Sequence, residues 1–224
     1  MSLSPTFLRG AKTRLTRHDL GRFSGESLHD RLGGAVCEAG CLSRKEFFES
    51  WELARRARRL FRGGRVVDLA GGHGLLAHVM LLLDDSSPSA LVVDTALPSS
   101  THTLHEALVK AWPRLDGRVV FSDEPIESVV LCEQDVVVSS HACGALTDVV
   151  LDRAAAARAR VAVLPCCHAI ATCDTGPLSG WLDQSLAIDA MRAVRLQARG
   201  YRVWTQTIPG SITPKNRLLL GQPT

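Results

Sequence analysis

The stretch Arg65-Val66-Val67-Asp68-Leu69-Ala70-Gly71-Gly72-His73-Gly74-Leu75-Leu76-Ala77 constrains the chain more than any other. A β-branched run ends in an acid, four small residues follow within five positions, and an apolar helical pattern begins. That order reads as strand, tight turn and helix. Glycine adopts positive φ without steric cost and lets a ligand approach the backbone closely, while the free N–H groups of the following helix aim back over the turn. A nucleotide P-loop needs Lys-Ser or Lys-Thr after its last glycine, and Leu75-Leu76 stand there instead. The G-x-G-x-x-G spacing of dinucleotide folds is also absent.

The rest of the chain repeats the strand-then-helix alternation. Ala90–Asp94 reads as a second buried strand ending in an acid, Arg118–Phe121 as a third before Ser122-Asp123, Asp135–Ser140 as a fourth and Val161–Pro165 as a fifth. Helices are expected from Gly74 to about Leu83, over 101–113, from the loop after Ser140 to about Ala157, and over 184–198. Residues 201–207 and 217–220 read as a closing antiparallel pair. Upstream, Ser43-Arg44-Lys45-Glu46 is a capping box that opens a helix to about Phe61. Residues 1–42, punctuated by Ser4-Pro5, Gly10, Gly21, Gly25 and Gly33-Gly34, leave room only for short helices. The expected organisation is a helical and irregular N-terminal extension over 1–62 and a cofactor-binding domain over 63–224.

The net charge of +3 hides an asymmetry. Residues 1–65 carry 14 Lys and Arg against 7 Asp and Glu, whereas the remainder carries 12 against 16. A basic front on a mildly acidic body suggests an anionic acceptor such as RNA, and Arg55, Arg56, Arg58, Arg59 and Arg62 are its densest group; a solvated helix face explains them equally well. The longest apolar run, Leu75–Leu83, is far short of a membrane span. The first eighteen residues are basic and acid-free, a faint likeness to an organelle presequence, but the cytoplasm is the default expectation. Seven cysteines, two of them adjacent, argue against a disulfide framework.

The acid-x-small-Gly-x-x-Gly order of Asp68 to Gly74 resembles motif I of class I S-adenosylmethionine-dependent methyltransferases. Five βα units followed by a hairpin match that family's order, so the resemblance implies an α/β, Rossmann-like fold with a mostly parallel seven-stranded sheet and a closing antiparallel hairpin. It implies S-adenosylmethionine as cofactor, held by Asp68, Ala70, Gly71, Gly72, Gly74, Asp94, Asp123 and Ser140. An acid at the tip of the second strand, here Asp94, suits the ribose hydroxyls. A narrower likeness lies in His141-x-Cys143-Gly144-x-x-x-Asp148 after the fourth strand, Cys166-Cys167-His168 after the fifth, and Thr213-Pro214-Lys215-Asn216-Arg217. These resemble a branch that includes acceptor-stem tRNA 2′-O-methyltransferases and the methyltransferase domain of glutathione S-transferase C-terminal-domain-containing proteins.

Ligands of open parallel sheets lie outside the carboxyl ends of the strands, where all these residues fall. His141, Cys166, Cys167 and His168 are therefore assigned to the acceptor side, with a histidine as general base. Two other readings of the group stay open: a zinc site using Cys143 as well, and small buried residues that only pack. No metal is assigned. His73 is expected to shape the cofactor turn, and His18, His29, His102 and His105 to be surface residues. The acceptor is expected to be RNA, with a small metabolite as rival. A non-catalytic binding module is the alternative of another class, which the intact glycine turn and Asp94 argue against.

Overall fold

Three consecutive valines, as at Val136 to Val138, suit a strand covered on both faces, and the computed structural model, which describes residues 7–224, builds its sheet from such runs. The strands are β1 (Val66–Leu69), β2 (Ala90–Val93), β3 (Val119–Ser122), β4 (Val136–Ser139), β5 (Arg160–Val163), β6 (Tyr201–Thr207) and β7 (Arg217–Pro223). Their order in space is β3-β2-β1-β4-β5-β7-β6. The first five pair in parallel, and β7 inserts antiparallel between β5 and β6. This is the seven-stranded, mostly parallel sheet with a closing antiparallel hairpin that the sequence implied. The chain order reverses between β1 and β4, so a crevice opens at their carboxyl ends.

The helices are α1 (Leu28–Ala39), α2 (Arg44–Leu60), α3 (Leu75–Leu83), α4 (Thr101–Ala111), α5 (Leu146–Ala156) and α6 (Gln184–Ala198). Alternate strand residues divide the core in two. Val66, Val92, Val136 and Val138 join Leu53, Phe47, Leu76 and Leu104 beneath α1 to α4. Val67, Leu69, Val137 and Val161 join Val150, Ala154 and Leu196 beneath α5 and α6.

Ser43 caps α2 by accepting from the Glu46 N–H at 3.1 Å. The Glu46 carboxylate does not close the expected box; it faces His73 Nδ1 at 3.3 Å, across to the cofactor turn. The N-terminal segment also departs from expectation, because Gly33-Gly34 lies inside the twelve-residue α1. The Phe23 ring packs so closely that a Cβ on Gly33 would stand 2.1 Å from its Cδ1, and this contact repays the helical cost of glycine. Ser4-Pro5 and the other residues before Phe7 lie outside the described residues. No helix among the described residues is long and apolar enough to cross a membrane.

The arginine stripe of α2 is largely engaged within the fold. Arg58 is 2% exposed, donates to Met80 O, Phe61 O and Ser87 Oγ, and pairs with Asp84 at 3.1 Å. Arg55 and Arg56 are held by Glu52, and Arg62 reaches Leu83 O. Only Arg59 of the five is exposed along the helix itself.

Candidate active site

The turn after β1 takes three alternating left-handed residues, Ala70 (φ 55), Gly72 (φ 53) and Gly74 (φ 74), and so curls over the sheet edge before α3 begins. Val92 explains the small residues at 71 and 74: a Cβ at either would come within 2.8 Å of its methyl groups. Gly72 differs, since nothing lies within 4 Å of the place its Cβ would take. Gly71 N–H donates to Val93 O at 3.0 Å, and the Asp94 carboxylate accepts from Gly72 N–H and Ala96 N–H, both at 3.0 Å. Asp94 thus fixes the turn and keeps spare acceptor capacity on both oxygens.

Asp68 is fully buried beneath this turn. One oxygen accepts from the Ala77 N–H at 3.3 Å, and the other, Oδ1, has no partner. Burial, reinforced by the nearby Asp94 charge, pushes its pKa up to about 8. His73 ties the turn to its surroundings through Ser100 Oγ (2.9 Å) and Glu46. Beneath it His78 Nδ1–H donates to Gly74 O at 2.7 Å, which leaves Nε2 to accept from His105 Nδ1–H at 3.0 Å. His105 is therefore a partly buried link, and His29 packs against Phe23, Phe47, Phe48 and Trp51; neither is the plain surface residue the sequence suggested. Asp123 is exposed just beyond β3, and Ser140 is buried just beyond β4.

On the other side of the crevice, the loops after β4 and β5 run side by side because Ser139 is paired with Val163. Gly144 N–H donates to Cys167 O at 3.2 Å and joins them. The Sγ atoms of Cys143, Cys166 and Cys167 lie within 4.8 Å of one another. Burial, together with the neighbouring thiols, pushes the Cys166 thiol far up. His141 and His168, however, do not join this group. His141 is half-buried near Glu49, a carboxyl that burial pushes up while Lys45, 3.3 Å away, and His141 pull it down.

His168 is turned inward, its side chain 2% exposed. Its Nε2–H donates to Asp189 Oδ1 at 2.8 Å, and its buried Nδ1 has no partner. Burial raises the Asp189 carboxyl, but hydrogen bonds from His168 and from Arg217 (2.6 Å) outweigh that and hold it below the usual range. Arg192, 2% exposed, completes the network with Asp148 (2.8 and 3.0 Å), Asp189 (3.3 Å) and Gly144 O (2.8 Å). Sequence reasoning missed Asp189 and Arg192 as site-building residues. Their i, i+3 spacing was a visible signal, though it is shared by many solvated helix faces.

The comparisons with known proteins bear on this geometry. Residues 51–173, more than half of the chain, match the family described as a methyltransferase domain. The chain belongs to that family. The family is one of methyltransferase domains, and S-adenosylmethionine is the cofactor that the sequence resemblance implies. None of the curated proteins matches it in sequence. Its fold is similar to that of an O-methyltransferase family protein from Burkholderia thailandensis (18% identity, TM-score 0.53, covering 96% of this chain and 65% of that one). It is also similar to the S-adenosylmethionine-dependent methyltransferase SibL (19%, 0.52, 94% and 66%) and to a ribosomal protein L11 methylase from Lactobacillus delbrueckii subsp. bulgaricus (14%, 0.52, 79% and 79%). The chain thus spans about two thirds of the length of the first two.

The residues of this methyltransferase fit the cofactor. Gly72 offers open space at the lip of the turn, and Asp94 has acceptor capacity for hydroxyls. The orphaned Oδ1 of Asp68 is a buried polar atom without a partner among the described residues.

Proposed function

We propose that this methyltransferase modifies RNA, in the manner of the branch its Cys/His motifs resemble, and that it works in the cytoplasm, where its seven free cysteines stay reduced. Bound S-adenosylmethionine supplies a sulfonium methyl that is intrinsically reactive. In this reading the chain divides into an N-terminal cover, 1–62, and a cofactor domain, 63–224. Asp94 accepts the ribose hydroxyls, Asp68 underpins the turn formed by Ala70, Gly71, Gly72 and Gly74, and Asp123 and Ser140 border the nucleoside. His141, Cys166 and Cys167 line the acceptor side, and His141 takes the acceptor proton as its oxygen or nitrogen attacks. His168, locked by Asp189, is a positioning residue for the Cys166-Cys167 turn.

One observation carries the choice of RNA. Lys45 N–H donates to Ala11 O (3.1 Å) and Arg44 N–H to Thr13 O (3.0 Å), which pins the exposed Lys12 and Arg14 to the start of α2. Neither Lys12 nor Arg14 has a carboxylate partner among the described residues. The same helix end carries Lys45, whose charge reaches Cys143. Cations thus rim the approach to the His141 loop, as a phosphate backbone requires. A small-molecule acceptor is favoured by a different feature, a cavity of about 440 Å³ lined by Pro165, Leu186, Asp189, Gln206, Arg217 and Leu219.

Methyl-labelled S-adenosylmethionine incubated with total RNA, and separately with an RNA-free metabolite extract, tests the reading. Label that enters RNA and is released by ribonuclease is expected; label confined to the metabolite extract overturns it. Asp94→Ala, which removes charged hydrogen bonds, should weaken cofactor binding in calorimetry by about 1.5–3 kcal/mol.

A further inference from the structure

Three thiols from two loops meet at the carboxyl edge of β4 and β5. Cys143 comes from the first loop, Cys166 and Cys167 from the second, with Cys143 Sγ and Cys166 Sγ 3.0 Å apart and all three Sγ within 4.8 Å. The frame that presents them is rigid. Gly144 N–H holds Cys167 O, Arg192 holds Gly144 O, and Asp148 with Asp189 holds Arg192. Gly144 itself sits at φ 59, and a Cβ there would stand 3.0 Å from that of Ala169, so the position admits little else. Core packing does not account for the group, because Cys143 and Cys167 are exposed and Cys166 is half-buried.

Thiols are weak hydrogen-bond partners, and nothing else is gained by clustering three of them at an open edge. A soft cation changes that. Sulfur donors without a carboxylate among them select zinc or another thiophilic ion over magnesium or calcium. Zinc–sulfur bonds of about 2.3 Å in a tetrahedron put sulfurs about 3.8 Å apart, between the 3.0 Å of Cys143–Cys166 and the 4.8 Å within which all three sulfurs lie. We propose that Cys143, Cys166 and Cys167 together bind one zinc ion as thiolates. Three protein ligands leave a fourth position open toward solvent, which is the pattern of zinc sites that engage a substrate or water and not of closed structural sites. The site goes beyond the methyl-transfer reading and does not depend on it.

The test uses the full reduced chain, purified after growth with zinc and without chelator. Elemental analysis should find close to one equivalent of zinc, and cobalt put in its place should give the absorption of a thiolate-bound tetrahedral centre. Zinc should protect Cys143, Cys166 and Cys167 from alkylation, but not the exposed Cys132. Cys143→Ser and Cys167→Ser should each lower zinc affinity by more than about tenfold, a loss that changes around the ligands alone can already cause. Circular dichroism reports that these variants fold, and Cys132→Ser should bind zinc like the wild type. Metal-free protein carrying a Cys143–Cys166 disulfide overturns the proposal, as does zinc that leaves Cys143 as reactive as Cys132. S-adenosylmethionine binding, measured separately by calorimetry, reports on the methyl-transfer reading.

Discussion

Asp68 and His78 sit under the same turn and pull stability in opposite directions with pH. Asp68, raised to about 8, keeps a proton in the folded chain that the unfolded chain has released above about 4, so stability falls as pH rises between those values. His78 is lowered to about 4 by burial, although its bond to Gly74 O works against this, and the unfolded chain binds a proton below about 6.5 that the folded chain refuses. Its contribution is present above 6.5 and is lost as pH falls toward 4. The two slopes, each about 1.4 kcal/mol per unit, nearly cancel from 4 to 6.5, and from there to 8 Asp68 acts alone. Asp68→Asn keeps the shape without the titration. Denaturant unfolding without cofactor should therefore show the variant gaining on the wild type from pH 6.5 to 8, by roughly 2 kcal/mol. Parallel pH profiles of the two proteins would refute a raised Asp68.

At the scale of elements, Arg58 joins α2 to the end of α3 through Asp84, and both side chains are almost fully buried. Breaking such a pair strands a buried charge and costs about 3–5 kcal/mol. Arg58→Ala should lower stability by about that amount, whereas Arg59→Ala, on the exposed face, should change it by less than about 0.5 kcal/mol. Equal melting temperatures for the two would contradict the assignment. Periodicity alone made both arginines look alike, because a helix pattern tells which face is apolar and not which cation finds an acid from another element. The strands were legible for the opposite reason: β-branched runs such as Val66-Val67 and Val136-Val137-Val138 encode burial on both faces locally. Gly33-Gly34 misled because the Phe23 contact is tertiary. In the site, the residues that follow strand ends could be read from the sequence. The Asp189–Arg192–Asp148 network could not, since its charges lie on helices whose pairing only the sheet order decides.

Across the whole molecule, the excess positive charge of residues 1–65 is redistributed by folding. Arg58 is buried, Arg55, Arg56 and Arg17 face glutamates, and Arg31 lies 5.0 Å over the Trp112 ring. What stays available near the site is smaller than the count of arginines suggests, and it lies at the rim where residues 11–14 meet α2. RNA affinity should accordingly depend on few contacts. Each phosphate neutralised on a single strand contributes a slope of about −0.7 to the log–log salt dependence of binding. With Lys45 already paired with Glu49, a rim built around Lys12 and Arg14 predicts a slope near −1.4, and Lys12→Gln combined with Arg14→Gln should remove most of it while leaving the melting temperature unchanged. Arg59→Gln, farther along α2, should leave the slope as it is. Filter binding across a salt series measures all three. A slope that follows Arg59 and ignores Lys12 and Arg14 would move the RNA from the rim to the outer face of α2, away from the His141 loop.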